Sequence, residues 1–156
     1  MDSVELKLEK HFRVLLTGEG GSGKTNWILE QLVQKKTFAF KKLYLYVEDI
    51  SEPKYEFLAK YFYEQARKEH KDVDDVVIIG DWDQIIQLHE LTGNDNLIIF
   101  DNWQHSKEVC EKIGEHLAKF DKEGVCSYIV ASRFTRHLPE TVKSNCDYHL
   151  KFKRAE

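Results

Sequence analysis

The sequence predicts an α/β fold with a mostly parallel sheet of about six strands and helices on both faces. Three observations predict it. Short apolar runs recur along the chain and are continuous rather than alternating, as in strands buried on both sides. Stretches with apolar residues at helical spacing separate these runs. A glycine cluster stands between the first run and the first helical stretch, which makes strand, turn and helix in that order.

The elements follow in chain order. Phe12 to Thr17 (FRVLLT) is the first strand, ending at the glycines. Asn26 to Lys36 places Trp27, Ile28, Gln31, Leu32 and Lys35 at helical spacing. Leu43 to Val47 (LYLYV) is a buried strand that ends at Glu48 and Asp49. Pro53 suits the first turn of a helix, along which Tyr55, Leu58, Ala59, Phe62 and Ala66 trace an apolar stripe to about His70. Val76 to Ile79 is a third strand, stopped by Gly80, and Trp82 to Leu91 reads as a short helix capped by Asp81. Leu97 to Phe100 (LIIF) is a fourth strand, ending at Asp101. Val109, Ile113, His116, Leu117 and Phe120 form a helical stripe closed by Gly124. Tyr128 to Ala131 is a fifth strand, and the alternating Tyr148 to Phe152 a sixth, at an edge of the sheet. With no repeat and no linker, the expectation is a single domain over residues 1–156.

Composition sets the class. The chain has 156 residues, 42% hydrophobic and 32% charged, a soluble globular balance with room for one core. No apolar run is long enough to span a bilayer, and Met1 to Lys10 carries no signal-peptide pattern, so neither membrane insertion nor secretion is expected. The three cysteines, Cys110, Cys126 and Cys146, are odd in number and widely spaced, which speaks for reduced thiols. A net charge of −4 excludes a uniformly basic surface but leaves room for a local basic stripe on nucleic acid.

Chemistry concentrates at Gly18-Glu19-Gly20-Gly21-Ser22-Gly23-Lys24-Thr25, followed by Asn26, a complete match to GxxxxGKS/T. Glycines permit backbone angles that turn successive N–H groups toward one anion, and the following helix aims its positive end at the same point. Lys24 reaches the β- and γ-phosphates, and the Thr25 hydroxyl is a ligand for Mg²⁺. The pattern predicts a P-loop NTPase whose ligand is ATP with magnesium.

Such a loop needs a carboxylate at the end of a nearby strand for the metal shell. Asp101 follows the strongest buried run and is the first candidate; Asp49 and Asp81 also follow apolar runs and compete. The residue after Asp101 is Asn102, which orients water but takes no proton, so the hydrolytic base must come from elsewhere. Glu48 is the first candidate, on the expectation that its strand lies beside the phosphate-loop strand, and Glu19, inside the loop, is the second. Ser132 closes the fifth strand and is a candidate to contact the γ-phosphate or attacking water and relay nucleotide state to Arg133 and Arg136.

A phosphate loop near the start, the LIIFD strand ending at Asp101, Ser132 closing the next strand, and Arg136 to Tyr148 (RHLPETVKSNCDY) together resemble viral genome-packaging ATPases of the FtsK–HerA superfamily. Poxvirus-type packaging ATPases, and relatives in other double-stranded DNA viruses, virophages and large DNA transposons, are similar. The resemblance spans roughly Phe12 to Phe152, and its discriminating part is Leu138 to Tyr148. It implies a homo-oligomeric ring, hexameric in the first instance, that hydrolyses ATP to push double-stranded DNA into a preformed capsid. Capsid proteins become possible partners, and the cytoplasm or nucleus of an infected cell, or the virion, the expected location. It also implies roles: Lys24 and Thr25 on phosphate and magnesium, Asp101 on the metal, Ser132 as polar sensor, and a neighbour's arginine acting in trans, for which Arg133 and Arg136 are candidates. Asn102, where the family usually carries a second acid, is a departure.

The remaining features read more plainly. The seven histidines show no metal-ligand spacing. Tyr44, Tyr46, Tyr55, Tyr61, Phe62 and Tyr63 match a buried strand and a helix face better than a base-stacking platform. Lys35-Lys36, Lys41-Lys42 and Lys151 to Arg154 are candidate grips on DNA phosphates. Two rival functions use the same loop. A nucleotide kinase would want an arginine-rich lid, and Asn102 to Gly124 holds no arginine; a nucleotide switch that barely hydrolyses would fit the missing second acid.

Overall fold

The computed structural model describes residues 11–35, 38–103, 107–119, 126–133 and 138–153. Its sheet holds β1 (Arg13–Thr17), β2 (Lys42–Tyr46), β3 (Val77–Gly80), β4 (Asn96–Trp103), β5 (Cys126–Ser132) and β6 (Tyr148–Lys151). They run in the order β3-β2-β4-β5-β1-β6, and every pairing is parallel. The helices are α1 (Lys24–Leu29), α2 (Pro53–Lys68), α3 (Lys107–Ala118) and α4 (Glu140–Lys143).

Strand side chains alternate between faces, and each face has its own apolar layer. Val14, Leu16, Leu43, Leu45, Leu97, Ile99, Ile129 and Ala131 pack with Ile28 of α1 and Tyr55, Leu58 and Phe62 of α2. Leu15, Tyr44, Tyr46, Ile98, Phe100, Tyr128 and Val130 pack with Ile113 and Leu117 of α3 and Val142 of α4. Every residue of β5 is buried, as its place near the middle of the sheet requires.

Parallel pairing sends all carboxyl ends to one edge, so the segments after Thr17, Tyr46 and Ser132 emerge together there. Lys151 also lies at that edge, opposite Thr17, whereas Lys42 begins β2 at the other. The Lys41-Lys42 and Lys151 clusters therefore do not form one stripe. Lys36 and Arg154, from the same expectation, lie outside the described residues, as do Phe120 and Gly124.

The anchor of β6 is explicit. Arg13 Nε and Nη2 donate to both oxygens of Asp147 at 3.1 and 2.9 Å, and Nη1 donates to the Leu117 carbonyl at 3.1 Å. The Asp147 amide returns a bond to the Arg13 carbonyl at 2.9 Å. Asp147 of the NCDY stretch thus ties β6 to Arg13 of β1, and Arg13 in turn reaches the end of α3.

The expected helix over Trp82 to Leu91 is replaced by two 3₁₀ turns, Trp82–Gln84 and Leu88–Glu90. Asp81 does cap the first, accepting from the Asp83 amide, while the Gln84 side chain accepts from the Asp81 amide. Beyond it the Ile86 amide donates to the Tyr46 hydroxyl and the Ile86 carbonyl accepts from His116, both at 2.8 Å. Backbone groups engaged with the core cannot also make helical bonds. The helix expected from Asn26 begins two residues earlier, at Lys24, and continues as a π-helical turn over Glu30–Lys35. Of the aromatic set, Tyr44, Tyr46, Tyr55 and Phe62 are buried, but Tyr63 is exposed, as is Ala59 of the predicted stripe.

Candidate functional site

The phosphate loop joins β1 to α1 at the carboxyl edge. Gly23 precedes α1 with φ 98°, a left-handed angle that glycine adopts without a Cβ penalty. No side chain caps α1 and no acid of its own sits in its first turn. The Lys24 ammonium curls back over the loop and donates to the Gly18 carbonyl, to the Glu19 carbonyl at 3.1 Å and to Ser22 Oγ at 3.3 Å. Burial lowers its pKa, the Asp101 carboxylate opposes that shift, and the Arg133 charge adds to it.

Asp101 follows Ile99 by two residues, so its side chain faces the layer under α1 and α2. It is 1% exposed and receives the Thr25 hydroxyl at 3.0 and 3.2 Å from its two oxygens. The Tyr55 hydroxyl of α2 donates to Oδ2 of the same carboxylate at 2.6 Å. Burial first, and the neighbouring Asp101 charge second, push the Tyr55 phenol far above its usual range, which keeps it a donor. The competing acids are placed elsewhere: Asp49 is exposed and bonded to Ser51, and Asp81 serves as the 3₁₀ cap. A hydroxyl and a carboxylate converging at hydrogen-bond distance form an oxygen donor set that fits magnesium, which typically takes one or two protein ligands and fills the rest of its shell from phosphates and water.

An open cavity of about 270 Å³ lies over these groups, lined by Gly20 to Asn26, Lys54, Asp101 and Arg133. Three cations against one carboxylate suit a polyanion. Arg133, expected among the candidates for a neighbour's site, lines the cavity of its own chain, and its Nη2 lies 3.7 Å from Glu48 Oε2. Glu48 corrects an expectation: β2 is not beside β1, because β4 and β5 stand between them. It reaches the site edge because it follows β2, which neighbours the Asp101 strand. Glu19 contributes its carbonyl to Lys24. Ser132 is fully buried, level with Thr17 on β1 and Trp103 on β4, one residue before Arg133. Asn102 lies within β4, and Arg136 falls outside the described residues.

Lys54 and Tyr55 are site residues that sequence reasoning missed. The signal was a tyrosine in an otherwise apolar stripe, since a buried phenol needs a hydrogen-bond partner.

Residues 3–155 match the family model described as poxvirus A32 protein. No curated protein sequence matches the chain. Three solved structures of the genome packaging NTPase B204 from Sulfolobus turreted icosahedral virus 2 share the fold. The complex with sulfate superposes with a TM-score of 0.59 at 13% identity, covering 96% of this chain and 77% of that one. The complexes with ATP-γS and AMPPCP give 0.57 at 14% and 0.56 at 16% identity, each covering 96% and 78%. With a family match across nearly its whole length, the chain belongs to the poxvirus A32 protein family, the viral packaging ATPases of the FtsK–HerA type that act as motors for viral DNA packaging.

Proposed function

We propose that the cavity binds Mg-ATP and that the chain works as one subunit of a homo-oligomeric ring, a hexamer, that drives double-stranded DNA into a capsid. The observation that carries the reading is the meeting, in one cavity, of the Lys24 ammonium, the Thr25–Asp101 pair and the Arg133 guanidinium. B204, with the same fold, has been captured with ATP-γS and AMPPCP, which supports ATP as the ligand.

In this reading the loop amides and Lys24 hold the β- and γ-phosphates, and Thr25 and Asp101 hold the cation. Magnesium, when bound, neutralises charge on the transferring phosphate. Arg133 acts on the phosphates of its own subunit, reaching in from the β5 end, with buried Ser132 behind it. Glu48 is the hydrolytic base, because it is the carboxylate paired with Arg133 at the site edge. A second arginine comes from the neighbouring subunit, with Arg136 as its candidate.

The test is ATP turnover with and without double-stranded DNA, measured beside the mass in solution. A ring with DNA-stimulated turnover is expected. Lys24→Ala and Asp101→Asn should each reduce turnover to background, and Lys24→Ala should also weaken nucleotide affinity. Phosphoryl transfer to a nucleoside monophosphate, or tight binding without turnover, would replace the motor with a kinase or a switch.

A further inference from the structure

Tyr55 is 3% exposed and belongs to the apolar layer under α2 with Leu58 and Phe62, yet its hydroxyl ends on Asp101 Oδ2. The same carboxylate takes the Thr25 hydroxyl, so two side chains from two helices meet on one acid. A carboxylate that serves a hydrated cation must present its oxygens in one orientation, and a buried donor on one oxygen restricts rotation about the Cβ–Cγ bond. Tyr55 is well suited to this. Its ring is clamped by packing, its amide is bonded to the Glu52 carbonyl at 3.0 Å, and the preceding residue, Lys54, lines the cavity. The first turn of α2 thus supplies one residue to the cavity and the next to the metal carboxylate.

We propose that Tyr55 is the positioning residue of the metal site: its hydroxyl sets the orientation of Asp101 and, through it, the affinity for the magnesium that accompanies ATP. The proposal deepens the Mg-ATP reading and rests on it. It makes no demand on the phosphate contacts, so it separates metal-dependent from metal-independent binding.

Tyr55→Phe removes the hydroxyl and keeps the ring. The probe is a fluorescent, non-hydrolysable ATP analogue, whose affinity is measured in EDTA and through a magnesium titration, with turnover followed over the same titration. Wild type and variant should bind alike in EDTA. The magnesium concentration giving half of the tightening should rise about tenfold in the variant, and turnover should return toward wild type at high magnesium. Leu58→Ala, which loosens the same layer without touching the hydroxyl, should keep the wild-type magnesium curve even if its melting temperature falls. A Tyr55→Phe curve that overlays wild type overturns the proposal and leaves Tyr55 a structural hydrogen bond. Failure of the underlying reading looks different: the wild-type protein itself would bind the analogue without regard to magnesium, or Asp101→Asn would leave that dependence intact.

Discussion

At Gly18 the chain passes so close to the end of β6 that a side chain has no room. A Cβ there would lie 2.6 Å from the Phe152 carbonyl oxygen and 2.7 Å from Ser22 Oγ, and the first of these is backbone. The Phe152 amide is meanwhile bonded to the Thr17 carbonyl at 2.7 Å, which prevents the two segments from separating. Gly18→Ala should therefore destabilise the protein by about 1–3 kcal/mol, read as a lower urea midpoint, and should weaken nucleotide binding by shifting the Gly18 carbonyl that Lys24 uses. Gly20 has nothing within 4 Å of such a Cβ, so Gly20→Ala makes the control for the change in stability. This part of the site was legible in the sequence because a phosphate loop is local: its residues are contiguous, and Lys24 donates to Gly18, Glu19 and Ser22 within six positions. Tyr55 was not, because its partner Asp101 is 46 positions distant and nothing in a helical stripe says which strand end it will meet.

Elements were legible in kind and less so in neighbourhood. Each apolar run became a strand, since continuous burial leaves few alternatives, but the order of parallel strands is decided by which crossover packs best. Glu48 shows the consequence, reaching the site edge from beside the Asp101 strand rather than from beside the phosphate-loop strand. The segment Trp82 to Leu91 failed as a helix because the Tyr46 hydroxyl and the His116 ring, both remote in sequence, compete for the Ile86 backbone. The NCDY stretch has an element-scale reason of its own in the two-oxygen clasp of Arg13 on Asp147. The pair is partly exposed, with 17% and 33% of the two side chains accessible, so its worth is set by geometry more than by charge. Asp147→Ala should cost about 1 kcal/mol of stability, measurable by urea unfolding. It should also speed amide exchange in β6, while nucleotide affinity stays within about twofold of wild type. Exchange that is unchanged in β6 would show that the clasp does not hold the strand.

Across the whole molecule, His116 is the polar tie between the layer under α3, the strand β5 and the segment after β3. The Ile86 carbonyl can only accept, so Nε2 carries the proton, and Nδ1 then accepts from the Tyr128 hydroxyl at 2.9 Å. A second proton would have to sit on Nδ1 and would reverse that bond, leaving the Tyr128 oxygen to accept. Burial pushes the ring's pKa below its ordinary value, with the Ile86 carbonyl and Glu115 pulling more weakly the other way. In the unfolded chain the same histidine protonates as pH falls through about 6.5, while in the folded chain it stays neutral to lower pH. The unfolded state therefore binds more protons in that window, and the stability that His116 contributes is complete above it and lost as pH falls below it. The urea midpoint should drop between about pH 7.5 and about pH 5.5, and His116→Gln, which keeps one donor and one acceptor, should flatten that drop even if it lowers the midpoint throughout. Parallel slopes in wild type and variant would assign the acid sensitivity to other groups. Because the tie lies on the sheet face opposite Thr25, Asp101 and Tyr55, acidification over this range should weaken the fold before it alters the magnesium dependence of nucleotide binding.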